Sequence, residues 1–200
     1  MSLYFRGKNL PLPLLLKNGN YQMNIDLKSK EILTNLKSTD PEFVLETIEK
    51  IRESGNRIIM DGLFDLLHET NTLEIKRSVL NLLSELKHKE SVSLLVDAII
   101  NDKYLNERKD LVACCWQNGL NYNAYLPVFI DLVINEPFLT AFEAFTVIEN
   151  MYGIIDEEVI EKEISKVINA LKSAKGEKVY LLNGLLTIIR EIPEESEFSA

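Results

Sequence analysis

Apolar side chains recur along this chain in groups at helical spacing, separated by short polar corners. Val44, Leu45, Ile48 and Ile51 form one group; Ile58, Ile59, Leu63, Phe64, Leu66 and Leu67 form the next; Ile75, Val79, Leu82, Leu83 and Leu86 follow. Each lies on one stripe of a 3.6-residue helix and leaves polar residues on the other side. The pattern continues through Glu90–Asp102, through the stretch holding Leu111, Val112, Cys115 and Trp116, and through Tyr125–Ile134, Leu139–Tyr152, Asp156–Leu171 and Glu177–Glu191. A short first helix is predicted around Ile32, Leu33 and Leu36.

Punctuation between the groups supports helices. Asp40-Pro41-Glu42 supplies an N-cap, a proline at the first helical position and an acid in the first turn. Ser54-Gly55 and Asn118-Gly119 read as stops, Asn71 to Glu74 as a capping box, and Pro127 as a first-turn proline. Asp156, Glu157 and Glu158 sit where the helix dipole favours negative charge.

The groups also repeat. Leu66-Leu67-His68-Glu69, Ile99-Ile100-Asn101-Asp102, Val133-Ile134-Asn135-Glu136 and Val167-Ile168-Asn169-Ala170 share a pattern of two apolar residues and one polar residue, at offsets of 33, 34 and 34. Gly119 and Gly153 keep the same spacing. A period of this length with two helical patterns per copy predicts an all-α solenoid, a right-handed α–α superhelix. The domain organisation expected is an extended segment over 1–25 covering one end of the stack, a helical repeat domain over 26–192 of about four and a half helix pairs, and an acidic tail over 193–200. Arg6 and Lys8 before Leu10–Leu16 superficially match a secretory leader, but Pro11 and Pro13 break the run and no small-residue cleavage site follows.

The segments VSLLVDAIIND and YLPVFIDLVINE, each followed by a corner and an apolar helix, resemble the HEAT-repeat family over roughly residues 40–192. The resemblance implies a curved scaffold for other macromolecules, with the second helix of each pair lining the concave face. A minority of such proteins are enzymes, among them DNA glycosylases and bilin lyases. The family often follows the corner acid with a basic residue that ties repeats together. Here the acids are Glu69, Asp102 and Glu136, and the matching positions read Lys76, Lys109 and Glu143, so the third pair is lost.

Charge narrows the partners. Thirty-one acids against 22 basic residues give a net charge of -9. That balance disfavours nucleic acid and anionic membrane, both of which are bound by Lys and Arg on phosphate, and favours a basic protein. No apolar run approaches a membrane span. The adjacent Cys114 and Cys115 cannot build a disulfide framework, and a cytoplasmic chain is expected.

No phosphate loop, nucleophile elbow or zinc helix appears, so no catalytic residue, metal or cofactor is assigned. The partner-binding candidates are Asp61, Asp65, Asp97 and Asp131, as an acidic stripe on second helices, with Asn101 and Asn135 as amides at their ends. Solvated helix faces and helix capping are the competing readings of these residues. Cys114 and Cys115 are expected in the core, as is Trp116, whereas Tyr104, Tyr122 and Tyr125 near the corners are interface candidates. The function expected is a non-enzymatic scaffold for a basic partner. The alternatives are a glycosylase-type nucleic-acid enzyme and a self-assembling structural subunit.

Overall fold

The apolar stripes become ten α-helices. The computed structural model describes residues 27–51 and 57–192. The helices are α1 (Leu27–Asn35), α2 (Pro41–Ile51), α3 (Arg57–Glu69), α4 (Leu73–Ser84), α5 (Glu90–Ile100), α6 (Arg108–Asn118), α7 (Leu126–Asn135), α8 (Phe138–Glu149), α9 (Glu157–Leu171) and α10 (Glu177–Glu191). Two 3-10 turns, Asp102–Tyr104 and Asn123–Tyr125, precede α6 and α7. No strand occurs among the described residues. The extended segment over 1–25, the stop at Ser54-Gly55 and the tail over 193–200 lie outside them.

Several helix starts follow the local chemistry. Asp40 Oδ1 accepts from Glu42 N at 3.0 Å, and Asp156 Oδ1 accepts from Glu158 N at 2.9 Å, each taking up an amide with no intrahelical partner. The capping box expected at α4 does not form. Thr72 makes no side-chain cap, and Thr70 Oγ1 instead accepts from the Thr72 amide, spending its hydroxyl inside the corner. Gly119 ends α6 at φ 67°, a left-handed conformation that glycine adopts without a β-carbon penalty.

Packing sorts the helices into two rows. The even-numbered helices α2, α4, α6, α8 and α10 lie side by side in chain order, as do α1, α3 and α5, and α7 and α9. Each odd helix also packs on the even helix after it. The described helices therefore make five pairs rather than the four and a half expected, since α9 packs on both α7 and α10. The core lies between the rows, where Leu63, Val79, Leu83, Leu95, Ile99, Leu111, Phe129 and Val133 are fully buried. Burying a side chain of this size stabilises by about 1.5–3 kcal/mol, so the rows hold chiefly through this layer. α1 is the loosest member. Its only buried residue is Ser29, and it approaches α3 at Gly62, where a β-carbon would overlap Leu33 Cδ2.

Candidate functional site

Asp61, Asp65 and Glu69 recur every four residues and so share one stripe of α3. That stripe borders a cleft of about 770 Å³ between the α1–α2 unit and the α3–α4 unit. Its lining is mixed: Leu33, Ile58 and Leu66 are partly exposed on it, Leu36, Val44 and Ile75 lie buried behind them, and Ser38, Thr39, Thr70 and Thr72 add polar surface. Among the described residues lining it, Lys37 is the one cation.

The two aspartates are in different electrostatic states. Asp61 makes no ion pair among the described residues, and partial desolvation raises its pKa above the ordinary 3.8. Arg57 offsets part of the rise, and Asp65 and Asp97 add to it. Asp65 is also desolvated, but hydrogen bonds from Lys103 and Tyr104 outweigh that and bring its pKa below 3.8. Both donors lie 2.5 Å from Asp65 Oδ1.

These donors come from the corner between α5 and α6, which fills the next seam along the row. Tyr104 is buried with its ring 6.0 Å from Phe64 and 5.9 Å from His68, and the bond to Asp65 satisfies its hydroxyl. His68 Nδ1 in turn lies 3.0 Å from Oε2 of the largely buried Glu107. The adjacent Arg108 reaches the other way: Nε donates to Ile99 O at 2.8 Å, and a terminal nitrogen donates to Glu136 Oε1 at 2.6 Å. Glu107 and Arg108 thus tie the α5–α6 corner to the units before and after it.

The tie at this corner is therefore one residue away from where the HEAT-repeat resemblance of the sequence puts it. Arg108, not Lys109, reaches Asp102 and Glu136, while Lys109 pairs with Asp110. Glu136 is held although Glu143 cannot pair with it. Lys178 adds a further link, donating to Val133 O at 2.6 Å and Glu136 O at 2.7 Å.

The remaining stripe residues are engaged within the chain. Asp97 pairs with Arg57 at 3.4 Å, and Asp131 with Lys166 at 3.0 Å; Lys166 also holds the buried Glu163 at 2.6 Å. Asn101 Oδ1 caps its own 3-10 turn by accepting from Lys103 N, and Asn135 Nδ2 donates back to Asp131 O. Of the six candidates, the cleft brings together Asp61 and Asp65 only.

Three aromatic expectations are corrected. Tyr104 and Tyr122 are buried rather than interfacial, because each ring fills a corner and its hydroxyl finds a partner, Asp65 for one and Asn118 for the other. Trp116 is 37% exposed rather than in the core, with Nε1 donating to Glu143 Oε2 at 2.8 Å. Cys114 and Cys115 are buried as expected, and burial raises the Cys114 thiol to about 11, far from a reactive thiolate. Among the described residues no cluster of three metal-ligating side chains occurs, and no helix is long and apolar enough to cross a membrane.

Among the described residues, fold and site define an all-α, two-row helical arrangement with an acid-edged cleft beside α3. No family model matches the chain, and no curated protein does. It is similar to an engineered protein whose crystal structure came from a structural-genomics consortium: 16% identity, a TM-score of 0.42, and coverage of 84% of this chain and 81% of that one. A likeness that low carries no functional argument.

Proposed function

We propose that the chain is a non-enzymatic protein-binding module of HEAT-like solenoid type that takes a basic partner. The observation supporting this reading is the α3 stripe. Asp61 and Glu69 face a cleft of mixed lining and are not ion-paired among the described residues, whereas Asp97 and Asp131 are held by cations of the same chain. On this reading the acidic groove is the Asp61–Glu69 stripe, at one end of the helical rows. Negative potential there speeds the approach of a cationic surface, and the apolar residues of the lining give it something to bury.

Affinity capture at low and high salt tests the reading. The wild-type chain should retain a basic protein at low salt and release it at high salt. Asp61→Lys with Glu69→Lys should abolish retention, and Asp97→Asn with Asp131→Asn should leave it within twofold. Equal retention by all three chains would remove the cleft from the binding reading.

Self-assembly is the second reading. Phe138, Leu139 and Phe142 are exposed on α8 beside Trp116 of α6, an apolar surface of the kind that covers itself in a dimer. A concentration-dependent sizing measurement separates the two readings.

A further inference from the structure

The filled seam indicates what the open cleft would take. Between α3 and α5 the molecule places a tyrosine ring against Phe64 and His68, with the neighbouring lysine on Asp65. A ring and a cation, adjacent in sequence, satisfy an apolar seam with an aspartate on its edge. Between α1 and α3 the corresponding corner is residues 70–72, whereas the α5–α6 corner is residues 101–107. Thr70-Asn71-Thr72 carries neither a ring nor a cation, so the seam stays open with Asp61 at its edge.

We infer that the cleft between α1 and α3 binds a segment of a partner protein carrying a lysine or arginine next to an aromatic residue, the ring lying against the partly exposed Leu33 and Ile58 and the cation settling on Asp61. The inference rests on the binding-module reading and names its ligand. Charge complementarity selects the cation: Asp61 and Glu69 make no ion pair among the described residues, and Lys37 is the one cation among the described residues lining the cleft, while Asp65 is already held by Lys103. The cleft, at about 770 Å³, has room for a ring, being within the usual range of ligand sites of about 300–1,000 Å³. A carboxylate beside desolvating apolar side chains gains more from a cation than one in open water does.

The test uses the full chain and a fluorescein-labelled octapeptide, Ser-Gly-Leu-Lys-Tyr-Leu-Gly-Ser, read by fluorescence polarisation. The expected result is one-to-one binding, weakened at least tenfold when glutamate replaces the peptide's lysine or alanine its tyrosine. Asp61→Asn with Glu69→Gln should weaken it at least tenfold, and Asp131→Asn should change it less than twofold. Circular dichroism of the exposed isosteric variants controls for folding. Equal binding of the lysine and glutamate peptides, or by wild type and the Asp61 variant, overturns the inference. If wild type takes up no peptide, Arg6→Glu with Lys8→Glu decides the cause. Binding by that variant alone means that the chain's own N-terminal segment holds the cleft, and binding by neither means that the cleft has no such ligand; both overturn the inference. Failure here with salt-sensitive capture of a basic protein intact would leave the binding-module reading standing, and failure of both would remove both.

Discussion

Two neighbouring seams in the odd-numbered row show how a small difference in corner length separates a structural element from a candidate site. The α3–α5 seam receives Lys103 and Tyr104 from a corner of residues 101–107, whereas the α3–α4 corner gives the α1–α3 seam Thr70 and Thr72, beside Lys37, Ser38 and Thr39 of the α1–α2 corner. Both seams have apolar residues in their walls and an aspartate of α3 at the edge. In one, the aspartate is ion-paired and its pKa falls; in the other it makes no ion pair among the described residues, and desolvation, only partly offset by Arg57, raises its pKa. Local chain length decides whether the same residue type acts as a clamp or remains available.

The largest expected effect comes from undoing the filled seam. Tyr104→Ala removes a buried ring and the donor on Asp65, which should cost about 3–4 kcal/mol, measured by urea denaturation. If the seams are equivalent, the emptied one should also take up the labelled peptide, raising the stoichiometry from one toward two. A stoichiometry that stays at one would mean that the seams differ in more than their plug.

Arg108→Met comes next. It keeps a long apolar side chain but leaves Ile99 O and Glu136 without their donor, so a loss of about 2–3 kcal/mol is expected. Because this link lies beyond the filled seam, peptide binding at the α1–α3 cleft should stay within twofold. A loss of binding as well would show that the far corner supports the open cleft.

Much of the fold was legible in the residues, and less of the site. The apolar stripes of α2 to α10 and the caps at Asp40 and Asp156 follow from side chains acting on their own helix. The corners do not. Lys103, Tyr104, Glu107 and Arg108 act on residues 28 to 39 positions away, which no periodicity within one helix reveals. The one available signal was corner length: a long corner can fold back onto the preceding helix. The acidic stripe was only partly legible for a similar reason. Arg57 and Lys166 neutralise Asp97 and Asp131 across helices, and pairing across helices is invisible until the rows are assembled.

A smaller effect separates the seams by pH. Asp65 has a folded pKa below its unfolded 3.8, so its contribution to stability is present above that value and lost as pH falls through the folded pKa. Asp65→Asn should lower Tm by about 1–3 °C at pH 7, since the pair is partly exposed and screened. The gap between the variant and wild type should begin to shrink as pH falls below 3.8 and close once pH has passed through the lower folded pKa, in a calorimetric series. A gap that does not shrink with acid would place the stabilisation in packing rather than in charge.

The smallest effect has the opposite sign. Asp61 has a folded pKa above 3.8, so the folded state holds its proton more tightly than the unfolded chain, and the ionised carboxylate opposes folding at neutral pH. Asp61→Asn removes that charge with little change in helix propensity and should raise Tm by about 1 °C at pH 7. Wild type regains this difference as pH falls through the raised pKa toward 3.8, so the two should converge in acid. Two aspartates one turn apart on α3 would then shift Tm in opposite directions when neutralised. On the binding-module reading, the carboxylate that costs stability is the one left for a partner's cation. If Asp61→Asn instead lowers Tm, Asp61 belongs with Asp65 as a structural clamp, and the open seam loses the group meant to receive a cation.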